Sequence, residues 1–172
     1  AVVDTGIENF HPEFGGISIN GNSYVSGVSY LNDVHGHGTH VAGIIAANRD
    51  GQGMRGVAYG VTTLHSYRIG ADNGTISLTD SVWDSIQDQS VSDSIDFSNN
   101  SWGSSTIEID EINSTWISNN IPNTAAGYKT AVSNDVVFVW AAGNNSDNQP
   151  SYQAGLPDVV DDIESGWIAV MA

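Results

Sequence analysis

Asp4 closes the apolar run Ala1-Val2-Val3 and is followed by Thr5-Gly6, a turn pair. An acid so placed sits at the carboxyl end of a sheet strand, where α/β folds keep their sites. In Gly36-His37-Gly38-Thr39-His40-Val41-Ala42-Gly43 an imidazole stands at the entry of an apolar helix. The positive end of the helix dipole there favours the neutral ring, the form in which a general base works. The flanking glycines let another chain come close to that ring. A third segment, Val136-Val137-Phe138-Val139-Trp140-Ala141-Ala142-Gly143-Asn144, reads as a core strand ending in small residues and an amide. Small side chains at a strand end make room for a ligand, and an Asn there can aim its N–H at a developing oxyanion. Each feature has a plainer reading by itself, since Asp and Asn are common turn formers.

His37 and His40 lie three apart on a helix, which raises zinc as a further chemistry. Gly38 stands where the zinc-protease pattern carries Glu, and the chain has no Cys, so the pair lacks partners. His40 is therefore expected to be a packed, hydrogen-bonded histidine and His35 a loop residue, while His11 and His65 have no functional partner in sequence. The absence of cysteine also excludes a disulfide framework and a cysteine nucleophile within these residues.

The elements that must hold these residues alternate. Apolar strand-like runs are expected at the start of the chain, over Gly56–Ile69, Ile95–Ser101 and Val136–Ala142, and over Gly166–Ala172. Helices are expected over His37–Ala47, over Leu78–Gln89, where Val82, Trp83 and Ile86 fall at helical spacing, and near Thr124–Ser133. The first helix has almost no polar face beyond its first turn and should be buried. Each helix precedes a strand, as parallel βαβ connections require, so the expected fold is α/β with a parallel sheet covered on both faces. Ser104–Asn123 is polar and irregular and carries no assignment. Both ends read as cut, and residues 1–172 read as one domain, incomplete at both termini.

Twenty Asp and Glu oppose four basic residues, giving a formal charge of −16. Such a surface repels nucleic acid and anionic membranes, which excludes nucleic-acid binding as a leading reading. No apolar run approaches the roughly 20 residues of a membrane helix.

Asp-Thr-Gly after an apolar strand, then Gly-His-Gly-Thr-His-Val-Ala-Gly, then Ala-Ala-Gly-Asn, in that order, closely resembles the subtilisin family of serine proteases. The resemblance implies a three-layer α/β/α fold with a mostly parallel central sheet. It also implies that Asp4 orients and supports His37, that His37 takes the nucleophile's proton and returns it to the leaving amine, and that Asn144 helps hold the oxyanion. Asn99-Asn100-Ser101-Trp102-Gly103 resembles the family strand lining the primary specificity pocket, which makes Ser101, Trp102 and Gly103 substrate-binding candidates. Ala141, Ala142 and Gly143 resemble the opposite wall. Gly70 to Thr75, including Asn73 and Gly74, resembles the segment that clasps the peptide on its other side, so substrate would add as a strand between two protein edges. Trp102 replaces a frequent Leu, and its indole either narrows the pocket or flanks it.

Asn48–Ala58 resembles a loop that in many relatives holds a stabilising calcium, with Asp50 and Glu13 as its carboxylate donors here. No cofactor is implied for the chemistry itself. The family's Gly-Thr-Ser-Met-Ala nucleophile motif is absent: none of Ser146, Ser151 or Ser165 has its flanks. The implied protein is a secreted or cell-surface endopeptidase acting on polypeptides, with a propeptide as a further partner and its serine beyond this chain. The fragment alone is then expected to be inactive, because loss of that serine costs a subtilisin about 10⁶ in turnover. Two other readings compete. One is a pseudoprotease or peptide-binding module that kept the groove without the nucleophile. The other is a nucleotide-binding α/β domain, which would lack both the Gly-x-Gly-x-x-Gly fingerprint and a Walker lysine.

Overall fold

The computed structural model describes residues 1–104, 106–144 and 149–171. They form two compact units, Ala1–Ser77 and Leu78–Ala172. In the first, β1 (Val2–Asp4), β2 (Ser18–Ser23) and β3 (Thr63–Arg68) pair in parallel, with β3 in the middle. Helix α1 (His37–Ala46) lies between β2 and β3 in the chain and packs on β1. Val41, Ala42 and Ala46 of α1 close a core with Val2, Ile7, Phe14, Ile19 and Leu64. The outer side of α1 is not buried as its apolar sequence suggests, because Ile44 is half exposed.

Gly38 explains how closely α1 meets the sheet. A Cβ there would fall 2.2 Å from the Gly6 carbonyl oxygen and 3.1 Å from the Asp4 Cβ. Only glycine lets the first turn of the helix reach the end of β1, and that approach puts His37 beside Asp4.

The expected strand over Gly56–Ile69 is realised only in its second half. Gly56, Val57 and Ala58 instead donate their N–H groups to the carbonyls of Ala47, Ile44 and Ile45 at 2.9, 3.0 and 2.7 Å. Those carbonyls are ones the end of α1 leaves without helical partners, so the segment serves as a helix terminator before it turns into β3. A Cβ on Gly56 would lie 2.5 Å from the backbone nitrogens of both Ala46 and Ala47, which makes glycine obligatory at that contact.

In the second unit, β4 (Phe97–Asn100), β5 (Val137–Ala141) and β6 (Trp167–Val170) pair in parallel, with β5 in the middle. Helices α2 (Asp80–Ser92) and α4 (Pro122–Ser133) pack together, and a short α3 (Ser114–Asn120) precedes α4. Helix α3 and the edge strand β2 have no apolar periodicity in sequence. The first starts on an Asn113 cap, whose Oδ1 accepts from Trp116 N at 3.0 Å, and the second buries only Ile19. Both units are thus parallel sheets with helical crossovers, the expected α/β class. Among the described residues no helix is long and apolar enough to cross a membrane.

Residue Ile121, at the N-cap of α4, has no side-chain acceptor, and Asp80 supplies one from α2. Its carboxylate accepts from Asn123 N, Asn123 Nδ2, Thr124 N and Thr124 Oγ1 at 3.0, 2.8, 2.8 and 2.6 Å. Asp80→Ala leaves those donors without their acceptor and is expected to cost about 1–2 kcal/mol, the range for a lost N-cap. Urea unfolding should show a lower midpoint at unchanged slope, with a smaller loss for Asp80→Asn.

Candidate active site

Asp4 is buried at the end of β1, where the chain leaves the sheet. Its Oδ1 accepts from Thr5 N at 2.8 Å and stands 2.7 Å from His37 Nδ1. A carboxylate can only accept, so Nδ1 is the donor of that bond and the free lone pair of the ring is on Nε2. The imidazole is 44% exposed against 3% for the acid, so the ring is open to solvent while its support is dry. That arrangement can remove a proton from a group placed at Nε2 and stabilise the imidazolium that results. Asp4 Oδ2 is buried without a partner among the described residues.

Asp33 was missed by sequence reasoning, and it organises the whole helix entry. Buried, it accepts from Gly36 N and Thr5 Oγ1 through Oδ1 at 2.9 and 2.8 Å, and from Thr39 N and Thr39 Oγ1 through Oδ2 at 2.8 and 2.7 Å. Thr5 Oγ1 in turn accepts from Gly38 N at 3.0 Å. The N-cap residue Gly36 has no side chain, so Asp33 caps α1 from three residues upstream and Thr5 ties that cap to the neighbour of Asp4. The available signal was an acid shortly before an uncapped helix of known start. Burial alone would raise the Asp33 pKa, but the bonds from Thr39, Thr5 and Gly36 outweigh it and hold the carboxyl below the ordinary range.

The other histidines differ from expectation in part. His40 is exposed rather than packed. The His35 ring stands edge-on to His37, with centroids 6.2 Å apart. Among the described residues no three His, Cys, Asp or Glu side chains converge as a metal site.

Gly70, Asn73 and Gly74 belong to a tight loop closed by an antiparallel bridge between Gly70 and Ile76 and by Ala71 N donating to Thr75 O at 3.0 Å. In the second unit Ser101, Trp102 and Gly103 leave the end of β4, and Ala141, Ala142 and Gly143 leave the end of β5. Ser151, buried, joins these two stretches. Its N–H donates to Ala142 O at 3.0 Å, and its Oγ lies where a Cβ on Gly103 would come within 2.8 Å. The Trp102 indole stacks on Trp83 of α2 at 4.8 Å and meets Trp140 edge-on at 4.9 Å. It is thus packed into an aromatic cluster. Asn144 is exposed beyond β5, and Ser146 lies outside the described residues.

Glu13 Oε1 accepts from Met54 N at 3.0 Å, while Oε2 is buried without a partner among the described residues. Asp50 Oδ1 is engaged by Gln52 N at 2.9 Å. Calcium takes six to eight oxygens, so these two carboxylates do not make a site by themselves.

Parallel α/β folds with an acid-supported histidine at the strand ends form a class equipped for general-base chemistry. The model of the subtilase family matches residues 1–172, and the chain belongs to that family. It is 30% identical over 169 residues to the major intracellular serine protease of Bacillus subtilis, covering 93% of this chain and 48% of that protein. Identity is 37% over 146 residues to an extracellular serine protease of Serratia marcescens, covering 79% of this chain and 12% of that protein. The chain therefore spans less than half the length of either. Among solved structures, sphericase superposes with a TM-score of 0.66 at 24% identity, covering 99% of this chain and 51% of the other, which shows a shared fold. The nucleotide-binding alternative is set aside by the family assignment.

Asp33 is a carboxyl whose pKa is lowered on folding, so its contribution to stability is present above the ordinary aspartate value of about 3.9 and is lost as pH falls through the folded value. Asp33→Asn is expected to unfold more easily than the native chain near neutral pH, with the gap closing below about pH 4. Urea midpoints across a pH series check this, and a gap that stays constant into strong acid would contradict it.

Proposed function

We propose that the protein containing this chain is a serine endopeptidase of the subtilisin type, hydrolysing peptide bonds in extended polypeptides. The observation that carries the reading is the 2.7 Å bond between buried Asp4 and half-exposed His37, on a chain of the subtilase family. In this proposal Asp4 holds the His37 tautomer, and Nε2 takes the proton from a serine hydroxyl as it attacks the scissile carbonyl. His37 then returns that proton to the leaving amine. The Asn144 amide donates to the tetrahedral oxyanion. Ser101–Gly103, with Ala141–Gly143 as the facing wall, and the loop of Gly70, Asn73 and Gly74 offer backbone edges to which an extended substrate adds. The serine is placed outside residues 1–172, because no serine within them has the flanks of the nucleophile motif. Secretion and a propeptide belong to the same proposal.

Intact mass of the purified parent protein before and after a fluorophosphonate tests the reading, because this reagent labels an activated serine. One adduct on the parent and none on His37→Ala is expected, since serine without its general base is a poor nucleophile. A folded parent that takes no adduct but binds peptides would instead favour the groove-only module.

A structural calcium is also proposed, resting on the unpartnered oxygen of Glu13, with Asp50 as its second carboxylate. Added calcium should raise the melting temperature and a chelator lower it, and Glu13→Gln should abolish most of that difference. An unchanged melting temperature removes calcium from the reading.

A further inference from the structure

Arg68 is the last residue of β3, in register with Asp4 on β1, and is fully buried. A guanidinium in that position remains charged and must find all its compensation inside the protein. Its fork does so across two loops. Nε donates to Gly70 O at 3.1 Å, Nη1 to Ser29 O and Asn32 O at 3.1 and 2.6 Å, and Nη2 to Asp72 Oδ1 at 2.6 Å. Asn32 is followed directly by Asp33, whose carboxylate caps the helix that begins at His37. Gly70 and Asp72 belong to the tight loop of the proposed peptide clasp.

The loop is closed on itself, with Gly74 N donating to Ala71 O at 2.8 Å besides the bridge between Gly70 and Ile76. A hold on its first three residues therefore sets the position of the whole. Its far end meets the same neighbouring loop a second time: a Cβ on Gly74 would fall 2.7 Å from His35 Nε2. The clasp and the residues leading to His37 are thus joined by one buried cation and one ring contact.

We propose that Arg68 is a positioning residue for substrate, holding the Gly70–Thr75 clasp in register with the Ser29–Asp33 loop and thereby with His37. The proposal rests on the endopeptidase reading and adds to it the device that aligns the peptide with the base. A cation that merely helped the fold would affect all substrates alike. A positioning role makes the effect depend on substrate length, because only an extended peptide reaches the clasp.

The test compares an extended peptide anilide with a small activated ester on the full parent protein. Variants are Arg68→Met, Arg68→Lys and Asp72→Asn. Asp72 is half exposed, and its replacement leaves the other three Arg68 bonds in place, so that variant keeps the question answerable if Arg68→Met does not fold. Loss of charge-assisted hydrogen bonds that act only in binding should raise KM for the extended peptide roughly tenfold in Arg68→Met, with kcat within about twofold. Kinetics on the ester should stay within about twofold, and Arg68→Lys, which keeps the charge without the fork, should fall between. Asp72→Asn should show the same split at smaller size. Equal losses on both substrates, or an unchanged KM in folded variants, overturn the proposal. If the unaltered parent hydrolyses neither substrate, the endopeptidase reading fails by itself. Calorimetric binding of the extended peptide then decides the role of Arg68: weaker binding by Arg68→Met supports it and equal binding overturns it.

Discussion

The 2.7 Å hydrogen bond between Asp4 and His37 is the constraint that the surrounding structure serves. It requires a carboxylate kept out of water and an imidazole open to it, two residues 33 positions apart in the chain. Neither demand is met by local structure. A strand must deliver the acid at its end, a helix must begin at the histidine, and nothing larger than glycine can stand between them. Gly38 satisfies the last condition, and Thr5 and Asp33 satisfy the second by supplying the acceptors that the first turn of α1 lacks. In the proposed function this ordering prepares the site before substrate arrives, as electrostatic preorganisation requires.

The acidic composition takes on a second meaning in the folded chain. The formal charge is −16, yet several carboxylates serve as acceptors for backbone N–H groups, and one of them, Asp33, is buried. Asp33 caps α1, Asp80 caps α4 from a neighbouring helix, and Glu13 holds the loop at Met54. Each replaces water around donors that a helix end or a loop would otherwise leave unpaired. Arg68 is the inverse case, one buried cation that gathers carbonyls from two loops and a single acid.

The second unit solves its packing with aromatic rings. Trp83, Trp102, Trp140 and Trp167 make successive contacts at 4.8, 4.9 and 5.4 Å, and Tyr128 meets Phe138, Trp140 and Trp167 edge-on. Burial pushes the Tyr128 hydroxyl far above its ordinary pKa, so it stays neutral within this core. Trp102, two residues beyond the end of β4, anchors to that cluster the stretch Ser101–Gly103, the edge offered to substrate in the proposed function.

Asp4 and His37, which the structure brings together, were legible from residue type and context, as were, among the described residues, five of the six strands and the three longer helices, because apolar periodicity and turn chemistry are local properties. The helix-terminating segment Gly56–Ala58, the short α3 and the edge strand β2 were not, since they are fixed by particular backbone and capping bonds or bury too little to leave an apolar pattern. The same holds for Asp33 and Arg68. An isolated Asp or Arg looks like any surface charge until the chain folds around it and removes the water that would have satisfied it. The sequence by itself therefore determined which groups can do chemistry and the class of fold that presents them. Only the tertiary structure decided which charges are buried, what they hold, and how the His37 ring is held, because desolvation and hydrogen-bond geometry exist only once distant segments have met.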